Sequence, residues 1–159
     1  GVHPGDGVNR HRGQRDERHD EHDEVCRFHS GHTIAMTVAT SRTLVVKCTA
    51  GVEEPERCAQ AFTVASTALA AGAAVSLWLT GEATWLATPG RAEAFELPHS
   101  APLAELRDAV LTGGRLTVCT QCAARRGITE AELLPGAVIA GSASFVAEIL
   151  APDAQALVY

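Results

Sequence analysis

From Thr43 onward, short β-branched or apolar runs take turns with longer stretches of helical period, and this alternation limits the possible folds more than any other feature. TLVVKC (43–48) reads as a buried strand. In EPERCAQAFTVASTALAAG, Cys58, Phe62, Ala65 and Leu69 fall on one helical face, Pro55 suits the first turn and Gly72 closes the run. AAVSLWL (73–79) is a second strand; Glu82 to Leu86 form a short helix stopped by TPG, and a loop runs on to Ser100. SAPLAELRDAVLTGG puts Leu103, Leu106 and Val110 on a buried face and ends in glycines. RLTV is a third strand ending at Val118, followed by a helix to Gly127 and a helical turn capped by Thr129 with Glu132 three residues on. AVIA, a helix from Ser142 to Leu150 and ALVY complete the series. Parallel strands need crossover connections, which helices supply. The order therefore predicts an α/β fold: a three-layer αβα arrangement around a five-stranded, mainly parallel sheet.

The first 35 residues differ in kind. They hold six of the seven histidines, five arginines and seven acidic residues, with few large apolar side chains. Such a segment buries too little surface to offset its ordering entropy, so 1–35 is expected to be a disordered tail and 36–159 the folded domain. Met36 is the only methionine and stands just ahead of the ordered-looking part, as a natural start would. Within HDEHDEVCRFHSGH, His19, His22, Cys26, His29 and His32 have spacings that suit zinc or nickel. Only Val25 and Phe28 are there to build a core around them, so the tail is read as a solvated polar segment and no metal or other cofactor is assigned. Deleting 1–35 should leave the thermal midpoint nearly unchanged; a fall of several degrees, or one tightly held zinc ion per chain, would contradict this reading.

The 159 residues carry a net charge of -6, with Lys47 the only lysine, so no basic stripe exists for nucleic acid to bind. The longest nearly apolar run, Leu69 to Leu79, is too short to span a bilayer, and the N-terminus has no signal-peptide pattern. Both point to the cytoplasm, where five irregularly spaced cysteines are reduced thiols rather than a disulfide framework. No internal repeat, Walker-type loop or G-x-G-x-x-G is present.

Function is therefore sought at VCTQCAARRGIT (118–129). Ligands of open α/β sheets bind at the carboxyl ends of the strands. Cys119 follows a strand and opens a helix, where free N–H groups and the helix dipole favour a thiolate, the nucleophilic form. Cys122 lies one turn on, either packed as a small apolar residue or close enough to react with Cys119. Zinc needs four ligands and no second C-x-x-C exists; a thioredoxin-like site would carry a tryptophan before the pair and Gly-Pro within it. Arg125 and Arg126 are too far along the helix to reach the sulfur, and instead cap its C-terminus or face an acidic partner. Cys48, at the end of the first strand, and Cys58, on a helix face, are read as structural. His99 and Ser66 have nothing linking them into a catalytic pair.

The segment order, and VCTQCAARRGITEAELLPGAVIAGSASFVAEIL above all, resembles the DsrE/DsrF/TusD family of small sulfur-relay proteins. In that family a cysteine follows a strand, RRG or ARG ends the next helix, and a GxxxxGxxxFxE-like segment precedes the last strand. LVVKCTAG and the helix after it match the family's opening, so the likeness spans Thr43 to Tyr159. The resemblance implies assembly as a trimer or hexamer. It also implies that Cys119 accepts sulfur as a persulfide from a donor protein and passes it to an acceptor thiol, as a sulfurtransferase without cofactor. Some members lack a reactive cysteine there, so the fold alone does not secure the activity. Cys122 departs from the pattern and leaves two alternatives: a C-x-x-C thiol redox protein, or a non-catalytic binding subunit of the same fold.

Overall fold

The computed structural model describes Gly1 and residues 42–159. The expectations for residues 1–35, Met36 and the His19, His22, Cys26, His29, His32 set lie outside the described residues. Five strands, β1 (Thr43–Cys48), β2 (Ala74–Leu79), β3 (Arg115–Cys119), β4 (Ala137–Ala140) and β5 (Ala154–Val158), form one sheet in the order β4-β3-β2-β1-β5. Every pairing in it is parallel. Four α-helices connect them: α1 (Pro55–Ala70), α2 (Leu103–Gly113), α3 (Thr120–Arg126) and α4 (Ser142–Ile149). Two short 3-10 segments, Gly81–Ala87 and Glu130–Glu132, complete the elements.

Chain direction sorts the helices into layers. From β1 to β4 each strand is added on the same side, and right-handed crossovers then place α1, α2 and α3 on one face. The step from β4 to β5 runs back across the sheet, which puts α4 on the other face. The first face carries the main core: Val46, Leu77, Leu79, Leu116 and Val118 of the sheet against Phe62 and Ala65 of α1, Leu103 and Val110 of α2, and Ala123 of α3. Side chains alternate along a strand, so Lys47, Ser76, Trp78, Thr117 and Cys119 belong to the second face. There α4 lays Phe145 edge-on to Trp78, with ring centroids 5.3 Å apart. Glu148 accepts hydrogen bonds from Ser76 Oγ at 2.7 Å and Trp78 Nε1 at 2.9 Å, tying the helix to β2.

One inward residue of α2 is not the one the helical pattern names. Leu106 is only half-buried, while Arg107 is 2% exposed. Its guanidinium donates to both oxygens of Glu93 (2.7 and 3.2 Å) and to Asp108 at 2.9 Å, and so staples the long loop after the first 3-10 segment to α2. The hydrogen bonds from Arg107 lower the Glu93 carboxyl from its ordinary 4.5 to about 2. A depressed carboxyl contributes stability above its unfolded pKa and loses it as pH falls through the folded value. The contribution should thus be full above pH 4.5 and fade towards pH 2. Comparing urea midpoints at pH 7 and pH 3 should show a smaller difference in Glu93→Gln than in wild type; equal differences would refute the linkage.

Candidate functional site

Strand β3 runs one residue further than its apolar pattern, through Cys119. Leu116, Thr117 and Val118 are buried and Cys119 is half-buried, so the thiol marks the point where the strand leaves the core. Its backbone (φ -66°, ψ 124°) is the extended N-cap of α3. At the other end of α3, Gly127 adopts the left-handed conformation (φ 68°), and the N–H groups of Gly127 and Ile128 return to Ala124 and Ala123. Arg126 caps this end as expected, donating to the Cys122 carbonyl at 3.1 Å and to Glu82 at 2.6 Å; Arg125 is exposed.

Cys122 points the other way from solvent. It is 9% exposed, and its Sγ accepts the Gly81 N–H at 3.3 Å. Gly81 can make this approach because it has no side chain: at φ 55° a Cβ would stand 2.6 Å from the Thr49 carbonyl oxygen. The β2 exit loop is therefore wedged between the β1 exit loop and α3.

The electrostatics at Cys119 favour its anion. Burial pushes the thiol up, but the Cys122 N–H, the Cys122 thiol, the Gln121 N–H and the Lys47 charge together outweigh it, and the Cys119 pKa falls below its ordinary value. These N–H groups act at short range without forming a regular side-chain cap. Cys48 and Cys58 form a separate buried pair. Contact with Cys58 lowers the Cys48 thiol, contact with Cys48 raises that of Cys58, and Cys48 Sγ also donates to the Ala50 carbonyl at 3.3 Å. Both are 0% exposed, so neither meets a reactant. Cys48 thus does not open on the rim, and the structural reading of both residues fits their placement. The fold brings Cys119 and Cys122 together, and holds His99 and Ser66 on separate elements.

A cleft of about 830 Å³ lies beside α1, lined by Thr49, Glu54, Pro55, Glu56, Arg57, Gln60, Val158 and Tyr159, and none of these residues belongs to the Cys119 region. Cys119 itself is half-buried, at the junction of β3 and α3. Among the described residues no cluster of three or more His, Cys, Asp or Glu side chains could hold a metal ion, and no helix is long and apolar enough to cross a membrane. Sequence reasoning missed Lys47 at this site. The signal was a lone lysine inside an otherwise apolar interior strand.

A parallel α/β domain with one half-exposed cysteine at a strand-to-helix junction defines the class. The chain belongs to the DsrE/DsrF-like family, whose sequence pattern matches residues 43–155. Its structure is similar to that of the ychN protein from E. coli (TM-score 0.63, 15% identity, covering 74% of this chain and 99% of that one). It is also similar to MTH1491, a protein of unknown function from Methanobacterium thermoautotrophicum (TM-score 0.58, 8% identity, 74% and 99% covered). At these identities the likeness is one of fold. No curated protein matches the chain.

Proposed function

We propose that this protein is a sulfur-relay carrier that holds sulfur as a persulfide on Cys119. The observation that carries the reading is the half-exposed thiol at the junction of β3 and α3, with its pKa lowered by the groups around it. In the loading step the Cys119 thiolate attacks the outer sulfur of a donor persulfide, R–S–SH. A Cys119–S–SH bond forms, the donor S–S bond breaks, and the donor leaves as a thiolate. In the unloading step an acceptor thiolate attacks the same outer sulfur and Cys119 returns as a thiolate. Electrons balance in both steps without an outside oxidant, and thiolate fraction and access set the rates. No cofactor enters. Donor and acceptor are proteins with exposed thiols, met in the cytoplasm; nucleic acid and membranes play no part.

The C-x-x-C spacing, together with the lowering of the Cys119 thiol by that of Cys122, supports a second reading, a dithiol–disulfide redox pair. Mass spectrometry after exposure to a persulfide donor separates the possibilities. A gain of one sulfur atom per chain supports the carrier, a loss of two hydrogens the redox pair, and no change a non-catalytic binding subunit.

The second face also favours self-association as a trimer or hexamer. Among the described residues only α4 covers it, and Val138, Val146, Leu150 and Val158 remain 39%, 44%, 76% and 66% exposed. Sedimentation of residues 36–159 at micromolar concentration should show a species of several chains; a single species at the one-chain mass would defeat the claim.

A further inference from the structure

Lys47 stands where a lysine is costly. It lies on β1, an interior strand paired on one side with β2 and on the other with β5, between buried Val46 and buried Cys48. Strand neighbours match Lys47 to Trp78 and Trp78 to Thr117, so its side chain shares the second face with Cys119, which lies two strands away and two residues further along β3, roughly 12 Å between Cα positions. The ammonium is held 4.9 Å from the centre of the Phe145 ring, which is itself fixed edge-on against Trp78. A cation over an aromatic face is attracted to it, but the contact leaves the positive charge uncompensated. No carboxylate among the described residues lies within ion-pair distance of Lys47. Glu148, the carboxylate described on this face, accepts from Ser76 and Trp78 at Oε2, and its Oε1, which has no hydrogen-bond partner among the described residues, lies 3.4 Å from the Arg115 guanidinium.

We propose that Lys47 is the positioning residue of the Cys119 site: its ammonium is the counter-ion of the Cys119 thiolate and, after loading, of the terminal sulfur of the persulfide. The second half of this statement rests on the carrier reading; the first does not. A persulfide places its anionic outer sulfur one S–S bond beyond Sγ, where a flexible four-carbon side chain can follow it. A lysine suits this task better than an arginine fixed by several partners, because its point charge needs no set geometry. The lowering of the Cys119 thiol by the Lys47 charge is in the direction this role requires. The other groups acting on that thiol are the N–H groups of Gln121 and Cys122 and the Cys122 thiol, all on α3, and among the described residues the remaining charges on the face, Arg115 and Glu148, pair with each other.

The test uses the full chain with Lys47→Met and Lys47→Arg. The first removes the charge and keeps the stem; the second keeps the charge. Iodoacetamide alkylation of Cys119 is followed against pH by peptide mapping, and persulfide retention is followed after loading with inorganic polysulfide. Lys47→Met should move the alkylation profile to higher pH, with roughly two- to five-fold slower reaction at pH 7, and should shorten retention. Lys47→Arg should restore both. Superimposable profiles for wild type and Lys47→Met overturn the proposal, and so does an arginine variant that behaves like the methionine variant. If wild type takes up no sulfur while Lys47→Met still shifts the profile, the carrier reading falls and the counter-ion role stands.

Discussion

Replacing Cys119 by serine should abolish sulfur uptake, while replacing Cys122 by serine should leave loading intact and slow release. A hydroxyl at this position is not ionised near neutral pH and forms no stable bond to the outer sulfur of a donor, so nothing partial is expected. Among the four described cysteines, access and ionisation coincide only at Cys119. Cys48 has a lowered pKa but 0% exposure; Cys58 is raised and equally buried; Cys122 is 9% exposed and turned towards Gly81. Alkylation with peptide mapping should accordingly label Cys119 first, at a lower pH than an unperturbed thiol requires. First labelling at Cys122 or Cys48, or sulfur uptake by Cys119→Ser, would remove the carrier assignment.

The largest loss of stability is expected from Trp78→Ala, about 3–5 kcal/mol, the range for deleting a buried aromatic side chain. The indole is 2% exposed and meets α4 through the Phe145 ring and the Glu148 carboxylate. Its removal opens a void beneath Phe145 and takes one of the hydrogen bonds from Glu148. Trp78→Phe, which keeps a ring but not the N–H, should lose less than half as much. Denaturant unfolding of both variants decides this; a loss below about 1.5 kcal/mol for alanine would mean that α4 finds other support.

The architecture was legible because the main-face residues obey simple periods. Val46, Leu77, Leu116 and Val118 alternate along short β-branched runs, and Cys58, Phe62 and Ala65 return every three or four residues. Crossover chemistry then makes a parallel sheet follow from element order alone. Cys119 was legible for the same reason, since a strand end followed by a helix start is a local signal. What stayed hidden depends on partners distant in sequence. Arg107 reads as an exposed charge until Glu93, fourteen residues back, is seen to hold it. Leu106 looks inward by composition, yet the buried stripe of α2 is 103, 107 and 110, a regular helical spacing that happens to include an arginine. The contact between Gly81 and Cys122 joins the start of a 3-10 segment to a helix forty-one residues further on. Strand order lies beyond periodicity altogether, because each strand pattern is the same whichever neighbour it pairs with.

The pairing of β5 with β1 joins residues 43–47 to residues 154–158, and the Thr49 hydroxyl reaches the Tyr159 carbonyl oxygen across 110 positions. During synthesis β1 therefore waits for β5. Until residue 154 has left the ribosome, β1 can pair with β2 on one side, but its other side keeps a row of unmatched N–H and C=O groups. Such an edge is a template for any extended chain nearby. Closing it carries the longest loop in the domain and so the highest contact order, which places the docking of β5 among the slow steps of folding. The half-made chain is the form of this protein with the greatest need of a chaperone.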